Sequence, residues 1–186
     1  MKRMINVEFI DVLDEHGNKT GIVRNKGLVY KNGDWHKTVH IWLINDKNEL
    51  LIQKRSASKE TFPNLWAISI AGHVQADEDS KEAALREIKE EIDIEISEED
   101  LIYMFSIRRN QEYNGGMLHV LDDVYLLRHN LDVQITNIQE EELSNIRFIN
   151  YKELERNLIE QNPSFVPYTQ EHELLFKYLR EKMNLD

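Results

Sequence analysis

The sequence predicts an α/β/α sandwich, an α/β (α+β) fold in which helices flank a mixed β-sheet. Two observations carry this. Along the chain come strands, one helix, more strands and then two helices, an order that does not fit the strict strand–helix alternation of a doubly wound parallel fold. The 186 residues hold only three Pro and seven Gly, with no repeat and no linker-like tract, which predicts a single domain over residues 1–186.

Residues 6–13 (NVEFIDVL) read as a strand, DEHGNKT as a turn and GIVR as the returning strand, so about residues 1–35 form an N-terminal β-hairpin extension. Gly27, Asn32 and Gly33 make residues 26–35 rich in turn-type residues. TVHIWLI (38–44) and LLIQKR (50–55), joined by the turn NDKNE, predict a second hairpin. A loop containing Pro63 spans 56–66, and AISIAG (67–72) reads as a short buried strand. Residues 79–92 carry the clearest helical signal, because Ala84, Ile88 and Ile92 recur every four residues. Asp79 is its N-cap, with Glu82 three residues on to close a capping box. Strands near 101–109, 118–128 and 147–149 follow, then helices over 151–160 and 169–183.

With 41% apolar and 31% charged residues the chain can bury a core. Lys plus Arg is 23 and Asp plus Glu is 34, a net charge of −11 that argues against binding nucleic acid by phosphate neutralisation. A phosphorylated small molecule would need a metal ion or a few placed cations to offset the repulsion. The absence of Cys removes disulfides, thiolate metal sites and Cys nucleophiles. No apolar run approaches the ~20 residues of a membrane span. Acids interrupt the N-terminal MKRMINVEFIDVLDEHG, so no signal peptide is expected and a cytoplasmic location is the default.

The chemistry concentrates in AGHVQADEDSKEAALREIKEEIDI, residues 71–94. Glu87, Glu90 and Glu91 stand at i, i+3 and i+4, on one face of the predicted helix. Like charges at that spacing repel unless water or a cation separates them. On spacing alone the plainer reading is a solvated acidic face.

Written as a pattern, the segment is G-x5-E-x7-R-E-I-x-E-E-x-D-I. It resembles the signature of the Nudix hydrolases, G-x5-E-x7-R-E-U-x-E-E-x-G-U with U a bulky aliphatic. Gly72, Glu78, Arg86, Glu87, Ile88, Glu90, Glu91 and Ile94 match, and Asp93 replaces the second Gly. The resemblance implies the Nudix α/β/α fold with a loop–helix–loop metal site, the box being residues 72–94. It further implies a diphosphate hydrolase dependent on Mg²⁺ or Mn²⁺. Hard divalent cations prefer oxygen ligands; Glu87, Glu90 and Glu91 would supply them, with a backbone carbonyl near Ala71 or Gly72. Arg86 would pair with Glu78 across the helix start, and these two join the three glutamates as candidate catalytic residues. Asp93 falls at the helix end, where φ > 0 suits Gly best and Asp or Asn next. The general base in this family is a box glutamate or one from a later loop, here the run Gln139-Glu140-Glu141-Glu142; Asp122 and Asp123 are weaker candidates.

Residues 36–74 also resemble isopentenyl diphosphate isomerases and the isomerase-like branch of Nudix hydrolases. The isomerases place a Cys where this chain has Ala71, and they depart from the Arg-Glu that is intact here as Arg86–Glu87. Both differences point to hydrolysis. The same resemblance assigns Arg55 and Lys59 to the substrate's diphosphate, roles that suit a guanidinium fork and an ammonium. His36 and His73 match histidines of the isomerase's second metal site, whose other ligands have no clear equivalent. Trp35, Trp42 and Trp66 are expected in the core, or beside the pocket as a stacking surface. The expected partner is a small-molecule diphosphate: a nucleoside diphosphate linked to another moiety, or a related small organic diphosphate. A homodimer is left open. The alternative reading is a Nudix-fold ligand-binding or regulatory module with little turnover.

Overall fold

The structure is a computed structural model that describes residues 7–59, 61–134, 136–139, 142–167 and 169–185. A mixed sheet is built around β3 (Trp35–Ile44). Along its length β3 pairs in parallel with β8 (Gly116–Arg128), from Trp35 opposite His119 to Ile44 opposite Arg128. Its other edge pairs antiparallel with β6 (Ile70–His73), which sets Gly72 opposite Val39 and His73 opposite Thr38. β1 (Phe9–Leu13) and β2 (Lys19–Asn25) form the N-terminal hairpin and join β3 at Leu13. β4 (Glu49–Arg55) meets β3 only at the turn, Ile44 opposite Leu50, and then pairs with β5 (Trp66–Ala67) and β9 (Leu143–Asn150). β7 (Leu101–Tyr113) and β8 form a long hairpin.

Because side chains alternate along a strand, β3 feeds two cores. Val39, Ile41 and Leu43 point toward α2 (Ser80–Ile92), where they pack with Ala84, Ile88 and Ile92. Trp42 and Ile44 point the other way, toward α3 (Tyr151–Ile159) and α4 (Gln170–Met183), and join Leu154, Leu158, Leu175 and Phe176. Two helical layers with a mixed sheet between them make the α/β/α sandwich. The side chains of Thr38 and His40 share the α3/α4 side of the strand, but they are polar and build a network described below.

Three local readings change. Residues 26–35 are not a turn: α1 (Lys26–Asn32) forms there. The turn-type residues sit at its ends, where Gly33 takes φ 66° as the left-handed C-cap and Asn25 accepts from the Leu28 N–H as N-cap. The single strand expected over 67–72 is two short ones, β5 and β6. The strand expected at 147–149 is β9, extended at both ends by its pairing with β4.

Candidate active site

The capping box of α2 is present: Asp79 accepts from the N–H groups of Lys81 and Glu82, and Glu82 accepts from the Asp79 N–H at 2.9 Å. At the other end Asp93 takes the left-handed conformation, φ 54°, the position that Gly holds in the family signature. Its carboxylate pairs with Lys89 Nζ at 2.7 Å, a local compensation for that backbone.

Arg86 organises the helix start. Its Nε and Nη2 donate to the two oxygens of Glu78 at 2.9 and 3.0 Å, a bidentate pair, and Nη2 also donates to the His73 carbonyl at 2.8 Å. Burial opposes its charge, but the carboxylates of Glu78 and Glu87 outweigh that and hold the guanidinium more firmly protonated than usual. Nη1 donates to Glu87 at 2.7 Å and to Glu90 at 3.3 Å. As they stand, Glu87 and Glu90 are therefore turned onto Arg86, and among the described residues no three His, Asp or Glu side chains close on a common point.

Glu91 differs. It is 3% exposed, and its Oε2 is buried with no hydrogen-bond partner. Burial and the nearby Glu87 raise its carboxyl well above the usual range, against Lys59, the Ala71 N–H and Arg55. Burial also pushes the Glu87 carboxyl up to about 7, with Glu90 and Glu8 adding to the rise and Arg86 opposing it. An anionic oxygen without a partner is costly inside a protein. A hard divalent cation would satisfy it, and the donor set of carboxylates and backbone carbonyls has the right chemistry. Gly72 makes the room, since a Cβ there would lie 1.9 Å from Glu87 Cδ.

Two cations face this group. Arg55 is held by neutral acceptors, its Nε donating to the Thr61 carbonyl at 2.9 Å and Nη2 to the Thr61 hydroxyl at 3.2 Å. Burial lowers its affinity for the proton, opposed by Glu91 and Tyr30. Lys59 forms an ion pair with Glu142, and burial, then Arg55 and Lys26, lower its ammonium. Glu140 and Glu141 lie outside the described residues.

The N-terminal segment supplies residues that sequence reasoning missed. Tyr30 of α1 places its hydroxyl 2.8 Å from His73 Nε2, and Lys26 pairs with Glu8 at 3.3 Å. Glu8 lies 3.5 Å from His73 Nδ1. Asn25 and Gly33, read as caps rather than turns, were the signal that could have found this helix. His36 stacks on His73 with ring centroids 5.7 Å apart, and its Nδ1 lies 3.1 Å from the Asp34 carbonyl. Burial lowers both imidazoles, that of His73 well below its ordinary value. Both rings thus sit in an aromatic cluster with Tyr30. A cavity of about 840 Å³ opens beside this cluster, lined by Tyr30, Tyr113, Lys26 and Lys31 among others.

Asp122 and Asp123 are corrected. Asp122 is fully buried and accepts from Arg109 Nε at 2.9 Å and Nη2 at 3.1 Å, and from Thr38. Asp123 is held by Ser80, Ser106 and Lys37. Neither joins the carboxylates of α2. Trp42 is in the core, Trp35 stacks on His119, and Trp66 lies under Arg147; none of the three lines the cavity.

Both the fold and the loop–helix–loop find their match among known proteins. The NUDIX domain model matches residues 34–171, and the chain belongs to the Nudix hydrolase family. It is 32% identical to Nudix hydrolase 3 of Arabidopsis thaliana across 96% of this chain, although it spans only 24% of that protein's length. It is also 32% identical to an uncharacterized Nudix hydrolase of Listeria monocytogenes, over 85% of this chain and 88% of that protein. An isopentenyl-diphosphate Delta-isomerase of Salmonella paratyphi B is 27% identical over 87% of each chain. The crystal structure of DR0079 from Deinococcus radiodurans shares the fold, with a TM-score of 0.68, 24% identity, and coverage of 91% of this chain and 98% of that one. No described helix is long and apolar enough to cross a membrane.

Proposed function

We propose that the protein is a Mg²⁺- or Mn²⁺-dependent hydrolase that cleaves the P–O–P bond of a nucleoside diphosphate linked to another moiety, or of a related small organic diphosphate. The observation that carries this reading is the buried, partnerless oxygen of Glu91 beside Glu87. Two clustered carboxyls, both pushed upward, are costly in the free protein and become an asset when a divalent cation is bound. Glu87, Glu90 and Glu91 would hold the ion, with the Gly72 carbonyl, once Glu87 and Glu90 turn from Arg86. A bound ion of this kind supplies Lewis acidity and lowers the pKa of a coordinated water toward neutrality.

The chain's own residues do the rest. Arg86, locked by Glu78 and the His73 carbonyl, fixes the loop against the helix. Arg55 and Lys59 carry phosphate charge; among the described residues Arg55 donates its side-chain hydrogen bonds to Thr61, and Lys59 exchanges Glu142 for the substrate. Release of Lys59 also frees Glu142, the acid of the later loop that the structure describes, to accept a proton. Ala71 stands where an isomerase needs its Cys, so the purified protein will not convert isopentenyl diphosphate to dimethylallyl diphosphate.

The test is a turnover screen of nucleotide sugars, dinucleoside polyphosphates, nucleoside diphosphates and small organic diphosphates with Mg²⁺ and with Mn²⁺. Cleavage of one class, abolished by chelator, is expected. Tight binding of such compounds with no hydrolysis under any metal would overturn the reading in favour of a ligand-binding module.

A further inference from the structure

Among the described residues two carboxylate oxygens are buried without a hydrogen-bond partner, Glu91 Oε2 and Glu8 Oε2. The first belongs to the box, on a residue only 3% exposed. The second belongs to the segment leading into β1, outside the residues 34–171 that the family model matches. A buried anionic oxygen is costly unless positive charge meets it. Glu8 Oε2 has two such neighbours at ion-pair distance, Lys26 Nζ at 3.3 Å and His73 Nδ1 at 3.5 Å.

The backbone fixes where this carboxylate stands. The Lys26 N–H donates to the Glu8 carbonyl at 3.0 Å, which ties residue 8 to the start of α1. Ile10 and Val12 of β1 pack on Val29 of the same helix. On the other side the Ala76 N–H donates to the Phe9 carbonyl at 2.8 Å, and the Asp77 N–H donates to Asp11 at 3.3 Å. Ala76 and Asp77 lie in the loop between β6 and α2, which Arg86 holds through Glu78 and the His73 carbonyl. Glu8 is therefore pinned between α1 and the box loop.

Its charge reaches the box. The Glu8 carboxylate adds to the upward push on the Glu87 carboxyl and favours the charged form of Lys59. The plainer reading is a partly exposed ion pair with Lys26, which would contribute little to folding. That reading leaves unexplained why a further negative charge is anchored beside a carboxyl that burial and Glu90 already disfavour. A divalent cation shared by these acids removes the conflict, since oxygen donors and added negative charge both strengthen such a site.

We propose that Glu8, from the N-terminal extension, is a further carboxylate of the cation site, adding its charge to that of Glu87, Glu90 and Glu91, with Lys26 as its competing ammonium. This deepens the hydrolase reading above and rests on it for the place of the cation.

The experiment is calorimetric titration of the full chain with Mn²⁺. Glu8→Gln should weaken binding about tenfold, or ~1.4 kcal/mol. Lys26→Met should strengthen binding, and most of that gain should vanish in the Glu8→Gln background, because the ammonium acts by competing for Glu8. A gain in affinity cannot come from a folding defect, so the Lys26→Met arm decides even if Glu8→Gln is unstable. Glu91→Gln is titrated beside them. Affinity that falls in Glu91→Gln and is unchanged in Glu8→Gln would overturn the proposal and leave the hydrolase reading standing. The same gain from Lys26→Met with and without Glu8 would also overturn it. Affinity unchanged in both Glu8→Gln and Glu91→Gln would overturn the proposal and the placing of the cation together.

Discussion

Gly72 and Glu87 share one space: a Cβ on Gly72 would lie 1.9 Å from Glu87 Cδ and 2.5 Å from Cγ. Gly72 is not among the residues with positive φ, so conformational freedom is not what this position needs. It needs the missing side chain. The Glu87 stem crosses the bare backbone of β6 and delivers its carboxylate to the wall where Glu91 is buried.

Gly72→Ala should therefore act on the site more than on the fold. Glu87 is a flexible side chain and can swing outward, so unfolding free energy should fall by at most the roughly 1–3 kcal/mol of a local overpacking. Turnover should fall about a hundredfold or more, because the Ala methyl occupies the space beside Glu91 that the Glu87 carboxylate needs in order to hold the ion. Denaturation and steady-state kinetics on one preparation check this, and a variant with near-normal turnover would show that the cradle is dispensable.

Metal-free protein should lose stability as pH rises. The Glu87 carboxyl is at about 7 in the fold, above its ordinary 4.5, chiefly through burial. Folding therefore favours its proton; that contribution is complete below the unfolded value and is lost as pH rises through 7, up to about 3 kcal/mol. Glu91 is shifted in the same direction. Urea denaturation in chelator at pH 5 and pH 8 should show the loss, and Glu87→Gln should make it smaller. An identical pH slope in the variant would remove Glu87 as its source.

Lys59→Met should raise KM about tenfold for the substrate with little effect on stability. The Lys59–Glu142 pair is partly exposed, and such pairs contribute little to folding. An ammonium on a desolvated diphosphate contributes more. Unchanged KM would place the phosphate elsewhere.

Much of the box was legible because its signals are local. Asp79 and Glu82 lie three residues apart and close the cap seen in the structure, and Asp93 takes the conformation its place in the signature demands. Helix α1 was misread because Gly33 and Asn32, correctly seen as chain-reversing residues, mark a helix end rather than a loop. Tertiary assembly hid the rest. Nothing near Asp122 in sequence shows that Thr38 and Arg109 will engage it, or that His40 will meet Glu171 at 2.7 Å from the far end of the chain. The cavity between Tyr30 and Tyr113 was hidden for the same reason, since α1 and the β7–β8 turn meet only in the folded sheet.

That buried network makes a stability prediction. Glu171 accepts from Trp42 Nε1 at 2.9 Å and from His40; burial opposes the charge on that imidazole, but Glu171 and Asp122 outweigh it and raise its affinity for the proton. Glu171→Ala leaves a buried imidazole and a buried indole N–H without their shared partner, at a cost of about 2–4 kcal/mol. Chemical denaturation should show that loss; a change under about 1 kcal/mol would mean the network does not anchor α4.

The most direct test of the account is Glu91→Gln, measured for turnover on the best substrate and for melting temperature in chelator. Loss of a ligand oxygen should remove about 3–4 kcal/mol of transition-state stabilisation, a factor of several hundred in rate. The metal-free melting temperature should hold or rise, because Gln replaces a carboxyl whose charged form burial and Glu87 disfavour. A variant retaining more than about a tenth of wild-type activity, under ~1.4 kcal/mol of effect, would contradict the claim that the glutamates of α2 form the reactive centre.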